Sequence, residues 1–504
     1  MPAAKVPAAG TPAPEPVPSR STSGRSTPGS STPGSSTPGP SAPGPSTPSR
    51  SILSRSTLVR YATGSIGTGG FGTLPGLVLL IFLTDTLGVA AFWAGVVITA
   101  AKVWDVVIDP VIGARSDHSL AATGSRRRFM LIGALALPVF FVLTFAVPAG
   151  IGPVAAGLWV LVAFVLTATA FSLFQVPYIA LPAELVDDYD ARTRLLSARV
   201  VVLAFAILLF GAGGPEIRDA FPADPRLGYL VLAIVAGLVI GGGMLVAVFS
   251  APTGVRGAGI ASTSIAENYR LGFAALKRSR AFRALLGTFV LQGLATGMML
   301  AGASYVAKWV LDTGVALLFV ALIAPALLCA PLWSAVSARI GKERAFVIAS
   351  ALFGVAALSL LGLIWAPGEW LYAPVALAGA AYAGMQSLPM AMLPDVISHD
   401  AREHGEGRAG TFGGAWTAGE TAGMALGTTL LALVLAVSGY IESVAGQEVV
   451  QAPSAITGIV LSFSVVPAVL MGISLLTFAR YPLRKGDIDG SGARSGDTGA
   501  GVGA

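Results

Sequence analysis

Three ionisable side chains stand one helical turn apart in an otherwise apolar stretch of the chain. They are Lys102, Asp105 and Asp109, in the run KVWDVVIDP. Steps of three and four residues place side chains on one face of an α-helix, so the three groups follow one line. Two carboxylates at this spacing repel each other when both are ionised, unless a cation lies between them. The pattern indicates a site that takes up a proton or a small cation.

The alternative interpretation of these charges is structural. Lys102 and Asp105 could form a buried ion pair that only joins helices, although Asp109 would then still need a partner. A charged side chain at the centre of a membrane helix costs about 2.5–3.5 kcal/mol. The three charges must therefore face the interior of a helix bundle, and the remaining elements have to supply that bundle.

The composition of the chain is that of a protein that crosses a membrane many times. Of its 504 residues, 54% are hydrophobic and 12% are charged, whereas a soluble domain carries about 25% charged residues. This composition excludes a soluble globule, a disordered chain and a collagen. The single Cys329 excludes a disulfide within the chain and a cysteine metal cluster.

Twelve apolar stretches are long enough to cross a hydrocarbon layer of ~30 Å as helices. Only helices or closed barrels satisfy their backbone in lipid, and these runs are too long for barrel strands. The sequence predicts an all-α membrane protein with twelve transmembrane helices. The predicted spans are 57–84, 89–114, 128–149, 152–181, 195–214, 227–250, 281–310, 314–338, 345–366, 370–394, 410–437 and 455–479.

The two halves of the chain resemble each other. The run QVP…LP…DAR from Gln175 to Arg192 reappears as QSLP…LP…DAR from Gln386 to Arg402. Two parallel six-helix repeats, with a site near the midplane between them, are the arrangement of the major facilitator fold. The predicted divisions are a disordered tail 1–55, a six-helix bundle 56–250, a central loop 251–280, a six-helix bundle 281–480 and a disordered tail 481–504.

Basic residues cluster in one set of loops, the set that includes Arg126–Arg128, Lys342 and the central loop. The positive-inside rule places these loops and both termini in the cytoplasm, for a protein of the plasma membrane. The net charge of +6 is then a topology signal, and no nucleic-acid partner is expected.

Other polar side chains inside the spans are expected to line a solute pocket beside Lys102. Arg199 lies near a helix start and could instead extend to the interface, whereas Glu420 lies well inside its span among small residues. The predicted pocket residues are Lys102, Gln175, Arg199, Gln386 and Glu420. Charged residues near the cytoplasmic helix ends are expected to cap helices and form gating salt bridges: Asp117, Arg126, Glu184, Arg192, Asp395 and Arg402.

Several motifs resemble the glycoside–pentoside–hexuronide:cation symporters, the melibiose-permease-like group of the major facilitator fold. The most specific is the run WDVVIDPVIG from Trp104 to Gly113. Supporting runs are YATGSIG from Tyr61, FLTDTLG from Phe82 and DARTRL from Asp190. The resemblance implies that Asp105 and Asp109 bind the coupling cation, Na⁺, Li⁺ or H⁺, and that Arg199 lies near the sugar. We also predict that Ser172 binds the cation.

The sequence also departs from that family at positions that matter for the solute. Ile108 replaces an asparagine before the second aspartate, which removes an oxygen ligand and favours a proton over Na⁺. Gly69 and Gln175 replace sugar-binding acids, and Ile179 replaces a tryptophan that stacks on the sugar. Glu420 stands where the family has a lysine. Recognition of a galactoside is therefore not implied, although transport is.

The predicted function is symport of a small solute, such as a sugar or glycoside, with H⁺ or Na⁺ by alternating access. Proton-driven export of a hydrophobic drug or natural product is the main alternative, and a lipid scramblase is a remote one. No catalytic triad, phosphate-binding loop or histidine-rich metal cluster is visible, so the sequence does not predict an enzyme. The expected partners are the solute, a monovalent cation and the bilayer, with no cofactor and a monomeric state.

Overall fold

The structure is a computed structural model that describes residues 54–185, 189–252, 277–404, 409–445, 447 and 449–483. The described residues belong to one compact unit, Ser51–Ala504. Most of the predicted tails 1–55 and 481–504 and most of the predicted central loop 251–280 lie outside the described residues.

Seven α-helices precede the central gap in the description. The first two are almost continuous and together form the first predicted span. The helices are α1 (Arg55–Thr63), α2 (Ser65–Asp85), α3 (Ala91–Thr123), α4 (Arg127–Phe145), α5 (Pro153–Leu185), α6 (Tyr189–Asp219) and α7 (Pro225–Val248). We call this set the N-terminal helices.

Seven further α-helices follow the gap, and we call them the C-terminal helices. The first continues through a π-helical turn, Ala307–Leu311, and the third through a 3₁₀ turn, Leu360–Ile364. The helices are α8 (Arg280–Val306), α9 (Val315–Ile340), α10 (Lys342–Ser359), α11 (Tyr372–His404), α12 (Ala409–Ser438), α13 (Pro453–Phe463) and α14 (Val465–Phe478). The last two are separated only by Ser464 and together form the last predicted span.

Among the described residues, eleven helical segments are long and apolar enough to cross a membrane. The segment outside this group is α11, which has 33 residues but is less apolar. Its lower hydropathy follows from Gln386 and Ser387 in its middle and from the charges of its last third. The helical membrane fold that the sequence predicts is confirmed, and α11 occupies the place of the predicted tenth span.

Several helices extend beyond the spans predicted from hydropathy. Helix α3 continues to Thr123 instead of 114, and α11 continues to His404 instead of 394. Hydropathy reports where a segment leaves the hydrocarbon layer, whereas the backbone hydrogen bonds of a helix can continue into polar surroundings. These extensions carry charged side chains, Asp117 in α3 and Asp395 in α11.

The N-terminal and C-terminal helices contact each other through three main pairs: α3 with α12, α6 with α9, and α2 with α8. Two glycines allow the closest approaches. A Cβ atom on Gly95 of α3 would lie 2.6 Å from Cβ of Ala432 in α12, and one on Gly211 of α6 would overlap the ring of Phe319 in α9. These contacts bring the two sets of helices together around a central region that holds the ionisable residues.

Candidate functional site

The first and second charges of α3 form an ion pair. Nζ of Lys102 lies 3.2 Å from Oδ2 of Asp105 and 5.5 Å from the ring centroid of Phe71 in α2. Asp105 is only 8% exposed, and its other oxygen, Oδ1, has no hydrogen-bond partner among the described residues. The pair cancels most of the charge that these two residues bring into the bundle.

The third charge, Asp109, forms no ion pair within the described residues, although Lys102 is near enough to act on it electrostatically. Its Oδ1 atom is buried and lacks a hydrogen-bond partner in the described part of the chain. The hydroxyl of Ser172, which α5 contributes from the side, lies near the Asp109 carboxyl group. The structure therefore brings together all three residues predicted to bind the cation: Asp105, Asp109 and Ser172.

The predicted solute residues of the N-terminal helices lie along α5 and α6. Oε1 of Gln175 accepts a hydrogen bond of 2.8 Å from the hydroxyl of Thr68 in α2. One turn further along α5, the side chain of Ile179 is 52% exposed. The guanidinium carbon of Arg199 lies 5.5 Å from the ring centroid of Tyr178, so Arg199 packs on α5 as well as on its own helix.

The predicted solute residues of the C-terminal helices lie on α11 and α12. Nε2 of Gln386 donates a hydrogen bond of 2.9 Å to the hydroxyl of Tyr382. Glu420 is partly exposed, and it lies close enough to Tyr382 for the two groups to interact electrostatically. Its surroundings supply no charged partner among the described residues.

The predicted gating residues form ion pairs within each set of helices. Nε of Arg126 lies 2.5 Å from Oε1 of Glu184, and its Nη1 donates a 2.7 Å bond to Ser116. Asp395 pairs with Lys342 at 2.6 Å. The exposed Arg402 donates to the carbonyl of Ser398 and does not meet Asp395. The side chains of Asp117 and Arg192 lie outside the part of the chain that the structure describes.

A second buried carboxylate joins the two sets of helices, and the sequence did not single it out as a site residue. Asp85, at the end of α2, accepts hydrogen bonds from Lys308 (2.5 Å), Tyr440 (2.5 Å) and Thr84 (2.8 Å). Thr84 is also bonded to the hydroxyl of Tyr305 in α8 at 2.7 Å. A lone aspartate ending a 20-residue apolar helix was the available signal, but Lys308 and Tyr440 are too distant in sequence for spacing to find them.

The same end of the bundle is closed by main-chain hydrogen bonds. The amide of Ser443 donates to the carbonyl of Thr84, and the amide of Ala445 donates to that of Thr86, each at 3.0 Å. Leu87 and Val444 form an isolated antiparallel bridge. We call residues 441–445, with the Asp85 contacts, the seal.

The hydroxyl of Tyr440 is a stable donor in the seal. Burial raises the pKa of this hydroxyl, and the adjacent Asp85 charge raises it further. Because the neutral form is favoured, Tyr440 keeps its proton and its hydrogen bond to Asp85 at neutral pH. The group lies just beyond the end of α12, so this contact closes the rim of the bundle and does not belong to its middle.

The architecture defines the class of protein, a membrane transporter of the major facilitator fold. A D-xylose–proton symporter shares this fold with a TM-score of 0.61 at 13% identity, over 86% of this chain and 98% of that one. A nucleoside transporter, NupG, shares it with a TM-score of 0.59 at 12% identity, over 85% and 99%.

Residues 60–485 match the family described as MFS/sugar transport protein, and the chain belongs to that family. It is thus a transporter and not an enzyme. Among its relatives are a glucuronide carrier protein homolog of Escherichia coli (strain K12), 29% identical over 81% of this chain and 88% of the relative. A putative sulfoquinovose importer of Salmonella typhimurium (strain LT2) is 24% identical over 73% and 78%. These matches confirm the resemblance to glycoside–pentoside–hexuronide:cation symporters.

Proposed function

We propose that the protein carries a small polyhydroxylated solute, of the sugar or glycoside class, together with a proton. The observation that carries this proposal is the state of Asp109, whose buried Oδ1 has no hydrogen-bond partner among the described residues, whereas Asp105 is paired with Lys102. A single unpaired carboxylate is a proton acceptor, because one bound proton removes the whole charge. Na⁺ would need more oxygen ligands, and Lys102 repels a cation from the space beside Asp105.

Proton movement is coupled to solute movement because the carrier passes through a closed, apolar conformation. Burying an ionised Asp109 in that conformation costs free energy. An isolated buried charge is strongly disfavoured, whereas a protonated carboxyl group with one hydrogen-bond partner is tolerated. The loaded carrier can therefore change conformation with Asp109 neutral, and the Ser172 hydroxyl can accept or donate a hydrogen bond in either protonation state. A carrier holding neither proton nor solute rearranges less readily.

The change of conformation is alternating access between two six-helix bundles, 56–250 and 281–480, with α11 counted as a spanning helix. The seal closes one end, and the basic loops of the other end face the cytoplasm, together with both termini, as the positive-inside rule requires. The protein acts as a monomer in the plasma membrane, and its solute binds between the bundles beside Gln175, Arg199, Gln386 and Glu420.

The names of two relatives support the proposed class of solute. The Escherichia coli relative is named for a glucuronide, and the Salmonella relative for sulfoquinovose. A glucuronide and sulfoquinovose are both polyhydroxylated, so the shared chemistry is that of a sugar ring. We do not propose that the solute of this chain shares the acidic group of a glucuronide or of sulfoquinovose.

The test is uptake into liposomes that contain the purified full chain. A pH gradient, acid outside, should drive accumulation of a sugar from a panel of neutral, amino and acidic sugars above its outside concentration. Asp109→Asn should abolish this accumulation and leave exchange of solute at equal concentrations intact, because exchange needs no net proton movement.

Asp224→Asn is the matched control, since it makes the same chemical change at an exposed helix N-cap, where asparagine caps as well as aspartate. Uphill uptake that is undiminished in Asp109→Asn would refute the coupling role. A hydrophobic dye that leaves the liposomes against its gradient, with no sugar moved, would favour export, which the exposed Ile179 beside Gln175 would suit.

A further inference from the structure

The two sets of helices present different hydrogen-bonding groups to the solute region. On the N-terminal side, Gln175 uses its carbonyl oxygen to accept the Thr68 hydroxyl, so its NH₂ group remains to donate to a solute. Arg199 has only donor groups, and its buried Nε lacks an acceptor in the described structure. This side of the region therefore favours acceptor atoms, such as the oxygens of a sugar.

The C-terminal side has the opposite character. Gln386 uses its NH₂ group to donate to Tyr382, so its carbonyl oxygen remains as an acceptor. Glu420 is acceptor-only when ionised, and no described charged side chain acts on its carboxyl group. Two acceptors beside an aromatic ring, with no cation to satisfy them in the described part of the chain, favour a ligand that is rich in donors.

The register of α3 and α12 places Glu420 at the depth of the predicted coupling site. The side chains of Thr99 in α3 and Thr429 in α12 are hydrogen-bonded to each other. Asp109 lies ten residues from Thr99, and Glu420 lies nine residues from Thr429 in the antiparallel helix, both away from the seal. At 1.5 Å per residue, each carboxylate is about 14–15 Å below the same contact.

Neighbouring residues of α12 show which face Glu420 occupies. Trp416 stacks on Phe289 of α8 at 4.2 Å, and the Cβ position of Gly423 abuts the Val290 carbonyl at 2.8 Å, so both face α8. Thr429 faces α3 instead. Glu420 borders the α8 face and lies near Tyr382 in α11. It is partly exposed, and because a carboxylate facing lipid is costly, we infer that its exposed part faces the space between the helices.

We propose that Glu420, with Tyr382 and Gln386, forms a subsite for a protonated amine, and that the natural solute is an amino sugar or a glycoside that carries such an amine. The inference rests on the proposed function, in which the solute is a sugar or glycoside. It adds that this solute carries a positive charge. The ring hydroxyls face Gln175 and Arg199, and the ammonium group faces Glu420.

Charge makes this subsite selective as well as attractive. An ammonium group donates charge-assisted hydrogen bonds to a carboxylate, and an aromatic ring stabilises the same cation from its face. A neutral sugar of the same shape leaves Glu420 buried without a partner, and an acidic sugar adds a second negative charge beside it. The expected order of affinity is amino sugar, then neutral sugar, then acidic sugar.

The first experiment compares ligands on the unmodified protein and does not depend on coupling. Thermal unfolding of the purified full chain in detergent is measured with glucosamine, N-acetylglucosamine, glucose and glucuronate. Glucosamine should raise the unfolding temperature at concentrations at least tenfold lower than the others. N-Acetylglucosamine retains the nitrogen but lacks the charge, so equal stabilisation by both amino compounds would overturn the proposal.

The second experiment uses Glu420→Gln, which keeps the shape and removes the charge. Its preference for glucosamine over glucose, measured as the ratio of the two binding affinities, should fall by tenfold or more. Glu403→Gln is the matched control, because Glu403 is exposed and pairs with His399 of its own helix.

Loss of pH coupling for every solute in Glu420→Gln would assign the residue to proton transfer and overturn the subsite. The subsite would also be overturned if Glu420→Gln still preferred glucosamine over glucose as strongly as the unmodified protein does. Failure of the proposed function looks different: glucosamine stabilises the protein in detergent, yet no pH gradient drives the uptake of any sugar.

Discussion

Lys102 and Asp105 form an ion pair, and loss of either partner should destabilise the protein more than loss of both. Their side chains are 28% and 11% exposed, so removal of one partner leaves the other charge poorly solvated. Lys102→Met or Asp105→Asn should each lower the free energy of unfolding by about 1–3 kcal/mol, a range reduced for the partial exposure of Lys102. The double variant should recover most of that loss.

Thermal unfolding in detergent measures these differences as a double-mutant cycle. A double variant that unfolds as early as the worse single variant would show that the two residues act independently. In that case Lys102 would be held by Phe71 and by solvent, and the interpretation that Lys102 compensates the charge of Asp105 but not that of Asp109 would fail.

At this scale the sequence predicts the residues of one helix better than contacts between helices. Helical periodicity is enough to place Lys102, Asp105 and Asp109 on one face, and the structure shows them there. No spacing rule could find the bond from Thr68 to Gln175 or the one from Lys308 to Asp85, because their partners are 107 and 223 residues apart. Such pairs depend on the tertiary fold.

The seal is the element with the clearest conformational role, since it ties the end of α2 to the segment after α12. Tyr440→Phe removes the hydroxyl that donates to Asp85 and accepts from the indole of Trp309, but it keeps the ring. We expect the seal to open more often, so that the protein spends more time accessible from that side.

The measurement is labelling of a cysteine behind the seal by a membrane-impermeant thiol reagent. Ser304→Cys is a suitable position, because Ser304 is 3% exposed and lies in α8. Tyr440→Phe should increase its labelling rate severalfold. Tyr372→Phe, at the same end in α11, is the control and should leave the rate unchanged. Equal labelling in all three backgrounds would mean that the hydroxyl does not hold the seal.

The elements themselves were predictable, and their ends were less so. Apolar runs locate each helix because a span must match the hydrocarbon layer. The ends of α3 and α11 were missed by about ten residues, since hydropathy falls as soon as charged residues such as Asp117 and Asp395 appear. The break between α13 and α14 at Ser464 has no hydropathy signal at all.

The whole molecule should be open on the side away from the seal. The hydrogen bonds between the N-terminal and C-terminal helices gather toward the seal, for example Thr99 with Thr429, and Ser304 with the Leu77 carbonyl. Ile179, at the depth of the predicted solute residues and 52% exposed, is expected to face the open cleft.

Replacement of the single Cys329 by serine gives a background for testing this state. Ile179→Cys in that background should react with an impermeant reagent added on the side away from the seal, and the transported solute should slow the reaction. Ser304→Cys should stay unreactive from that side. An unreactive Ile179→Cys would indicate that this side chain faces lipid and would contradict a cleft that is open on that side.

The pairing of Leu87 with Val444 has a practical consequence for inhibition. Because these contacts use backbone amides and carbonyls, few single substitutions can delete them, and the identity of the side chains there is loosely constrained. A short extended peptide, or the loop of a binding protein, that pairs with the segment 441–445 from outside would extend this pairing and hold the carrier closed. Drift in the sequence would offer little escape from such a blocker.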